Sequence, residues 1–136
     1  MTVKILVEST VNPTEDEKKV ERAVRNVFPS AKIERTTVDD ALKLRVRGEE
    51  LEVLSTLRDL IKQQRIRAAA RAVLLRRTRG QRTYVYLSKQ PAFVGRISFC
   101  EPEGESPLGP ISIVIDAPVP EEVIDYLTHG FEPRDR

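Results

Sequence analysis

Few side chains in this 136-residue sequence are suited to nucleophilic or metal chemistry. It contains one histidine, His129, and one cysteine, Cys100, whereas a zinc site takes several Cys or His ligands at defined spacing. It has no nucleophile elbow, phosphate-binding loop or dinucleotide fingerprint. Glu101, Glu103 and Glu105 carry oxygen ligands for a hard cation but lack a fixed ligand spacing. We therefore predict no catalytic residue, no metal site and no cofactor, and a protein that is not an enzyme.

The side chains best placed to do chemistry are cations. Residues 58–82 contain nine of them and one acid, Asp59, although the whole chain carries a net charge of only +2. Such a cluster can contact a phosphate backbone without reading its sequence. Tyr84, Tyr86 and Phe93 follow it as candidate stacking groups for single-stranded RNA. The competing interpretation is a solvated helix face whose arginines pair with acids elsewhere in the fold.

Hydrophobic periodicity places most of these cations on one long helix. Residues 49–79 contain neither Gly nor Pro, and apolar side chains recur there at about 100° per residue, which predicts a helix capped by Gly80. A continuous helix has an apolar face and an opposite basic face; the first comprises Val53, Leu54, Leu57, Leu60, Ile61, Ala68, Ala72 and Leu75, and the second Arg58, Lys62, Arg65, Arg76 and Arg79. A break at 63–67 would rotate these faces, and the sequence leaves that alternative open. Arg71, at the border of the apolar stripe, is expected to pack its stem and to find an acidic partner for its head.

The other elements follow from alternation and helical spacing. Strands are predicted at 3–8, 31–36, 42–47, 83–88, 94–100 and 111–116. Further helices are predicted after Asn12, with a capping box from Thr14 to Glu17, and over 119–128. The order β-α-β-β-α-β-β-β-α predicts an α+β fold in which helices cover one face of a mainly antiparallel sheet. We predict a single domain over 1–136 with a mobile tail at 129–136.

A second apolar surface on the long helix predicts self-association. Ile66 and Val73 are seven positions apart, about two helical turns, and Ala69 and Ala70 lie close to them. Two-fold dimers are the commonest closed assembly, and small alanines let two helices approach closely. We predict a homodimer with Ile66, Ala69, Ala70 and Val73 at its interface.

The composition also predicts in which cellular compartment the protein lies. No run approaches 18 apolar residues, which excludes a membrane span, and the N-terminus lacks the apolar stretch and cleavage site of a secretory signal. A single cysteine suits a reducing cytoplasm. Arginine outnumbers lysine by 16 to 7, and abundant charge with few thermolabile side chains points to a thermophilic source.

Several segments together resemble one archaeal family. They are NPTED at 12–16, QRIRAAAR at 64–71, LSKQPAFVG at 87–95, Phe99, and LGPI at 108–111. This set is similar to the motifs of Uncharacterised Protein Family 0201 of archaea, and the resemblance covers nearly the whole chain. The family's usual Asn-Lys-Gln-Ala-Ala appears here as Ser88-Lys89-Gln90-Pro91-Ala92. The resemblance implies an α+β fold like that of ribosomal protein L five. It also implies membership of a group of predicted RNA-binding proteins, some proposed as exosome-associated, whose biochemical activity is undefined.

We therefore expect a non-enzymatic RNA-binding protein of the archaeal cytoplasm that uses a basic helix face to contact the phosphate backbone. Its predicted RNA-binding residues, with Phe93 as the stacking group, are Arg58, Lys62, Arg65, Arg76, Arg77, Arg79, Arg82, Lys89, Gln90 and Phe93. The alternative is a homodimeric protein-interaction or assembly module that binds no nucleic acid and whose arginines keep its surface soluble. A protein involved in RNA processing or associated with the ribosome is a further candidate partner.

Overall fold

The computed structural model describes residues 2–102 and 108–128, which form a six-stranded sheet and five α-helices. The strands are β1 (Lys4–Val11), β2 (Glu34–Val38), β3 (Ala41–Gly48), β4 (Thr78–Arg79), β5 (Arg82–Leu87) and β6 (Ile111–Asp116). The helices are α1 (Glu17–Val27), α2 (Ser55–Gln63, after a 3-10 turn at Leu51–Leu54), α3 (Arg67–Arg76), α4 (Lys89–Phe93) and α5 (Pro120–Leu127). None of these helices is long and apolar enough to cross a membrane. The predicted mobile tail at 129–136, and with it His129, lies outside the described residues, as do Glu103 and Glu105.

Every strand pairing is antiparallel, and the strand order is β2-β3-β1-β6-β5-β4. β1 lies between β3 and β6, so that Val7 is opposite both Val46 and Ile113. These three side chains belong to one hydrophobic core, to which all five helices contribute buried residues. The predicted α+β fold, with helices on one face of an antiparallel sheet, is confirmed.

Alternation along the strands decides which face of the sheet is buried. Ile5 and Val7 of β1 are buried, whereas Leu6 between them is half-buried on the opposite face. Successive side chains of a strand point to opposite faces, so the apolar set of each strand enters the core together. The opposite face carries Tyr84 and Tyr86 of β5, and neither packs against the core that the described helices cover.

The predicted long helix is two helices, separated within the interval that the sequence left open. α2 ends in a Schellman motif: the Ile66 N–H donates to the Ile61 carbonyl at 3.1 Å, and the Arg65 N–H donates to the Lys62 carbonyl at 3.0 Å. Arg65 occupies the left-handed position that glycine usually takes in this motif, with φ 59°. The backbone hydrogen bonds at the end of α2 produce the break. No Gly or Pro marks it in the sequence of residues 63–67.

This break rotates the buried face of α3 relative to the continuous helix. Ala68 and Ala72 are exposed, and Leu75 is 49% exposed. Ala70 and Leu74 are buried instead. The prediction that Ala68, Ala72 and Leu75 face the core was therefore wrong, because residues 64–66 reorient α3 after α2 has ended.

The predicted strand at 94–100 is also wrong. In this segment only Phe99 makes a β-bridge, to Leu87. α4 precedes it and contains Pro91 in its first turn, where the missing N–H would have no helical partner. Gly95 follows with φ 81° and redirects the chain. The observed element order is β-α-β-β-α-α-β-β-α-β-α.

Two predicted helix ends differ as well. Asp16 caps α1, and its carboxylate accepts a hydrogen bond from the Lys18 N–H at 2.9 Å, so Thr14 is not the cap. α3 ends at Arg76, before the predicted cap at Gly80. Gly80 lies instead in the turn between β4 and β5, where its φ of 62° suits a tight hairpin.

The residues of the predicted dimer interface do not share one outward surface. Ala70 is 0% exposed, and Ile66 packs against the core. Ala69 is exposed and Val73 is half-buried. Ala70 is therefore a core residue, because the buried face of α3 is rotated. The homodimer itself stays a prediction.

Arg71 has the acidic partner that was predicted for it. Its Nη1 lies 2.7 Å from Asp125 Oδ1 and donates a second hydrogen bond to Thr128 Oγ1 at 3.2 Å. The side chain is 29% exposed, so its stem is packed while its head reaches the acid. This contact joins α3 to the end of α5.

Replacing Arg65 by glycine is expected to raise the melting temperature by about 2–5 °C. A left-handed conformation costs a residue with a Cβ on the order of 1 kcal/mol more than glycine, and only part of this is offset by the greater backbone entropy of unfolded glycine. Thermal unfolding monitored by circular dichroism measures the change. Arg65→Ala is the matched control, since it removes the charge but keeps the strain. If the glycine variant melts no higher than the alanine variant, the left-handed conformation at position 65 does not destabilise the fold.

Candidate nucleic-acid interface

The predicted cations divide into two groups at opposite ends of α3. Lys62 and Arg65 lie at the end of α2, whereas Arg76, Arg77 and Arg79 lie where α3 leads into β4. A helix of ten residues, the length of α3, spans about 15 Å. The arginines of 58–82 therefore do not form one continuous helix face.

Several of these arginines are occupied by protein partners. Arg82 Nε lies 2.8 Å from Asp116 Oδ1, and hydrogen bonds to Asp116 and then Tyr84 raise the pKa of Arg82 above its ordinary value. Arg77 pairs with Glu101 and lies 5.2 Å from the centroid of the Tyr86 ring.

Arg58 and Arg79 are engaged too. Arg58 pairs with Asp59 at 3.2 Å and lies 4.9 Å from the centroid of the Tyr126 ring. Arg79 donates to the carbonyls of Arg76 and Thr78. Of the predicted cations, those that are exposed and make no ion pair within residues 2–102 and 108–128 are Lys62, Arg65, Arg76 and Arg79, and of these Arg79 is held by the two carbonyls.

Lys89, predicted as a phosphate contact, is a buried structural residue. Its side chain is 9% exposed. Its Nζ donates to the Thr10 carbonyl at 2.6 Å, to Glu15 Oε1 at 2.9 Å and to the Leu108 carbonyl at 2.9 Å. An ammonium has three donors, and all three are used. Lys89 therefore has no donor left for RNA, and its role is to hold β1, α1 and the approach to β6 against α4.

Asn12 and Glu15 complete this buried cluster. The Asn12 side chain donates to the Leu108 carbonyl at 2.7 Å and to Glu15 Oε1 at 2.8 Å, and the Asn12 N–H donates to the same carboxylate. Burial alone raises the pKa of Glu15, but hydrogen bonds from Asn12 and Lys89 outweigh it and hold that pKa below its usual value. Three of the segments that resemble the archaeal family thus meet at one ion pair.

Gln64 joins the α2–α3 turn to the segment after α4. Its Nε2 donates to the Ile97 carbonyl at 2.9 Å, and its Oε1 accepts from the Ile97 N–H at 2.7 Å. This reciprocal pair places Arg65 next to the segment that carries Arg96. The role of Gln64 could not be predicted from the sequence, because its hydrogen-bond partner lies 33 residues away.

α1 packs along the other side of α4. Asn26 donates to the carbonyls of Ala92 and Phe93, both at 2.9 Å. One turn earlier, the Arg22 guanidinium lies 5.3 Å from the centroid of the half-buried Phe93 ring. Gln90 is exposed on α4. The predicted stacking group Phe93 therefore lies next to a cation of α1, Arg22.

We call the exposed cations on the elements that these contacts join the basic surface. Its members make no ion pair within the described part of the chain, and they are Lys18, Lys19, Arg22, Lys62, Arg65 and Arg96. The α1 members were missed because residues 1–57 are nearly neutral as a whole. A helical projection of α1 would have found them, since positions 18, 19 and 22 share one face. The carboxylate of the nearby Glu21 forms an ion pair with Arg25, with 3.0 Å between Oε2 and Nη2.

Metal ligands are not assembled in the part of the chain that the structure describes. Among residues 2–102 and 108–128, no group of three or more His, Cys, Asp or Glu side chains could hold a metal ion. The ionisable groups described above are instead engaged in ion pairs or exposed singly. What the arrangement offers chemically is a cationic surface beside an aromatic ring.

Comparison with known proteins relates the chain to a family. A family model described as RNA binding matches residues 4–117. The chain is 40% identical over 125 residues to a UPF0201 protein of Sulfolobus acidocaldarius, a match that covers 92% of this chain and 86% of that protein. It is 39% identical over 126 residues to a UPF0201 protein of Aeropyrum pernix, covering 92% and 84%.

Solved structures agree with the fold. The crystal structure of an uncharacterised UPF0201 protein is 33% identical and superposes with a TM-score of 0.75 over 92% of both chains. A UPF0201 protein from Methanococcus jannaschii, 28% identical, superposes with a TM-score of 0.79 over 96% of both chains. Neither description mentions ribosomal protein L five, so that likeness stays a prediction.

Replacing Lys89 by methionine is expected to destabilise the fold by about 3–5 kcal/mol, because it leaves the buried Glu15 carboxylate and two carbonyls without their donor. Urea unfolding measures the loss. Lys62→Met is the matched control, since the same change at an exposed position is expected to cost below about 0.5 kcal/mol. Equal unfolding midpoints for the two variants would contradict the structural role of Lys89.

The stabilising contribution of Glu15 is expected to depend on pH. Its folded-state pKa is lowered from 4.5, so the contribution is fully present above the unfolded pKa and is lost as the pH falls through the folded pKa. Unfolding free energies of the wild type and Glu15→Gln, measured between about pH 7 and pH 3, are expected to converge as the pH falls. A difference that stays constant or grows in acid would contradict this assignment.

Proposed function

The chain belongs to the UPF0201 family of archaeal proteins, and on that premise we propose that it binds RNA through the basic surface without catalysing a reaction on it. The observation that carries the proposal is the group of six exposed cations around α1, α4 and the α2–α3 turn. Cations without protein partners can neutralise phosphates without first breaking an ion pair. Phosphate neutralisation supplies most of the affinity of sequence-independent RNA binding.

The distribution of acids supports this location. On α1, Glu21 pairs with Arg25 and Glu17 with Arg35. The carboxylate of Asp16 caps the helix through the Lys18 N–H. Few carboxylates are therefore left near the basic surface to repel a phosphate.

The strained backbone at Arg65 supports the same location. A non-glycine residue in a left-handed conformation costs stability, and such residues cluster at functional sites. Glycine at this position would satisfy the Schellman motif at no steric cost but would remove the guanidinium. The presence of arginine rather than glycine at position 65 is accounted for when its charge contributes to RNA binding.

The part of the proposal that excludes an enzymatic reaction is supported by the composition. The family model names RNA binding and no reaction. The chain has one histidine and one cysteine. Catalysis by either side chain would therefore need a second catalytic group that is neither histidine nor cysteine. A surface of arginines and lysines binds phosphate without supplying a general base near neutral pH.

The outward face of α3 favours a second candidate function, that of a homodimeric assembly module. Ala68, Ala69 and Ala72 are exposed, and Leu75 is 49% exposed at the same helical spacing. This face differs from the predicted interface of Ile66, Ala69, Ala70 and Val73. Light scattering on the wild type and on Leu75→Glu tests it, with a dimer that dissociates in the variant as the supporting result and a monomeric wild type as the contradicting one.

Reversing two charges of the basic surface is expected to weaken RNA binding at least about 100-fold, since contacts to charged groups are each worth about 1.5–3 kcal/mol. The variant is Lys19→Glu with Arg65→Glu, and fluorescence anisotropy with labelled RNA measures the affinity. The slope of log K against log salt is expected to become less negative by about 1.4 for single-stranded RNA.

The matched control is Lys32→Glu with Arg76→Glu, which makes the same change in net charge at exposed positions outside the basic surface. It is expected to keep an affinity within a few-fold of the wild type. Equal losses in the two double variants would show that binding follows net charge only, and RNA binding that neither variant changes would remove the basic surface as the site.

A further inference from the structure

A cavity of about 570 Å³ opens between α1 and α4, beside the basic surface. The lining side chains that matter here are Lys19, Val20, Gln90, Phe93, Val94 and Leu108. Its volume lies within the range of about 300–1,000 Å³ found for small-molecule sites. Lys19 belongs to both the cavity and the basic surface, so the two are continuous.

The cavity exposes apolar side chains to solvent. Val94 is 67% exposed and Leu108 is 36% exposed. Phe93 lies beside them with part of its ring accessible. Exposed apolar groups gathered in one concavity commonly mark a binding site.

The charged groups deepest in the cavity, Lys89 and Glu15, are paired with each other, whereas the carboxylate of Asp16 at its edge caps α1 through the Lys18 N–H. Lys89 and Glu15 line the floor of the cavity, but the ammonium donates to the Glu15 carboxylate and to two carbonyls, which uses its three donors. An anion or a metal ion inside the cavity would have to break this buried pair. The floor therefore suits an uncharged group with a flat apolar face.

Gln90 supplies the polar recognition. It is exposed at the cavity, and its side chain has no hydrogen-bond partner among residues 2–102 and 108–128. An amide offers two donors and an acceptor, which match the edge of a nucleobase. Phe93 supplies an aromatic ring of the kind on which single-stranded RNA bases stack, and the Arg22 guanidinium lies over the same ring, 5.3 Å from its centroid.

We propose that this cavity binds one unpaired RNA base, stacked on Phe93 with its edge at Gln90, while Lys19 and Arg22 contact the flanking phosphates. This inference rests on the proposed RNA binding and names its substrate class. A base inside a duplex is already stacked and paired, so it cannot enter the cavity. The protein therefore prefers single-stranded, looped or bulged RNA to a continuous duplex.

The experiment compares a single-stranded RNA and a hairpin duplex of equal length against three variants. Phe93→Leu removes the stacking face and keeps an apolar side chain in the core. Gln90→Ala removes the amide, and Tyr84→Leu is the control because it removes an aromatic ring from the opposite face of the sheet. Circular dichroism confirms that each variant is folded. A 2-aminopurine base within the single strand reports stacking by its fluorescence.

Wild-type protein is expected to bind the single strand at least ten-fold more tightly than the duplex. Phe93→Leu should lose roughly ten-fold for the single strand, leave duplex binding and the salt slope unchanged, and abolish the quenching of 2-aminopurine. Gln90→Ala should lose a smaller factor, and Tyr84→Leu none.

Three results would overturn the cavity assignment: a duplex bound as tightly as the single strand, Phe93→Leu binding like the wild type, or equal losses in Phe93→Leu and Tyr84→Leu. In each of these cases the single charge reversal Arg65→Glu still reports separately on the phosphate contacts, because Arg65 does not line the cavity. Failure of the cavity is thus distinguishable from failure of RNA binding.

Discussion

Lys89 carries a charge that solvent scarcely reaches, and the structure around the basic surface depends on compensating it. Moving an ammonium group from water into a protein interior costs several kcal/mol unless an ion pair and hydrogen bonds offset the loss. The compensation comes from the Glu15 carboxylate and from the carbonyls of Thr10 and Leu108. The end of β1, the start of α1 and the approach to β6 are therefore all bound to the first residue of α4.

The position of α4 in turn decides which cations become neighbours. With Lys89 turned inward, the next side chain, Gln90, is exposed, and Phe93 one turn later meets Arg22 of α1. The reciprocal amide contact of Gln64 holds the α2–α3 turn against Ile97, in the segment that follows α4. Short polar contacts between distant segments, rather than the run of arginines along one helix, assemble the basic surface.

Local patterns predicted strands β1, β2, β3, β5 and β6 and helices α1 and α5, because alternation and helical spacing are visible within a few residues. They also predicted a strand at 94–100 that the structure does not contain, and they missed the two-residue β4. The break at Arg65 could not be placed, since no Gly or Pro marks it and Gln64 is held by Ile97, 33 residues away. Lys89 resembles any surface lysine in sequence, because its partner Thr10 is 79 residues earlier. The family resemblance identified the segments that meet there, but only the structure shows that they meet through a buried ion pair.

The strand order also has a consequence for folding kinetics. β1 pairs with β6 at the centre of the sheet, with Ile5 opposite Ile115. Contacts so far apart in sequence close late, and a high contact order slows folding. During synthesis one edge of β1 stays unpaired until β6 has left the ribosome, which exposes backbone donors to wrong pairing. A nascent chain that lacks β6 therefore has the cations of α1 but not the packed surface that arranges them.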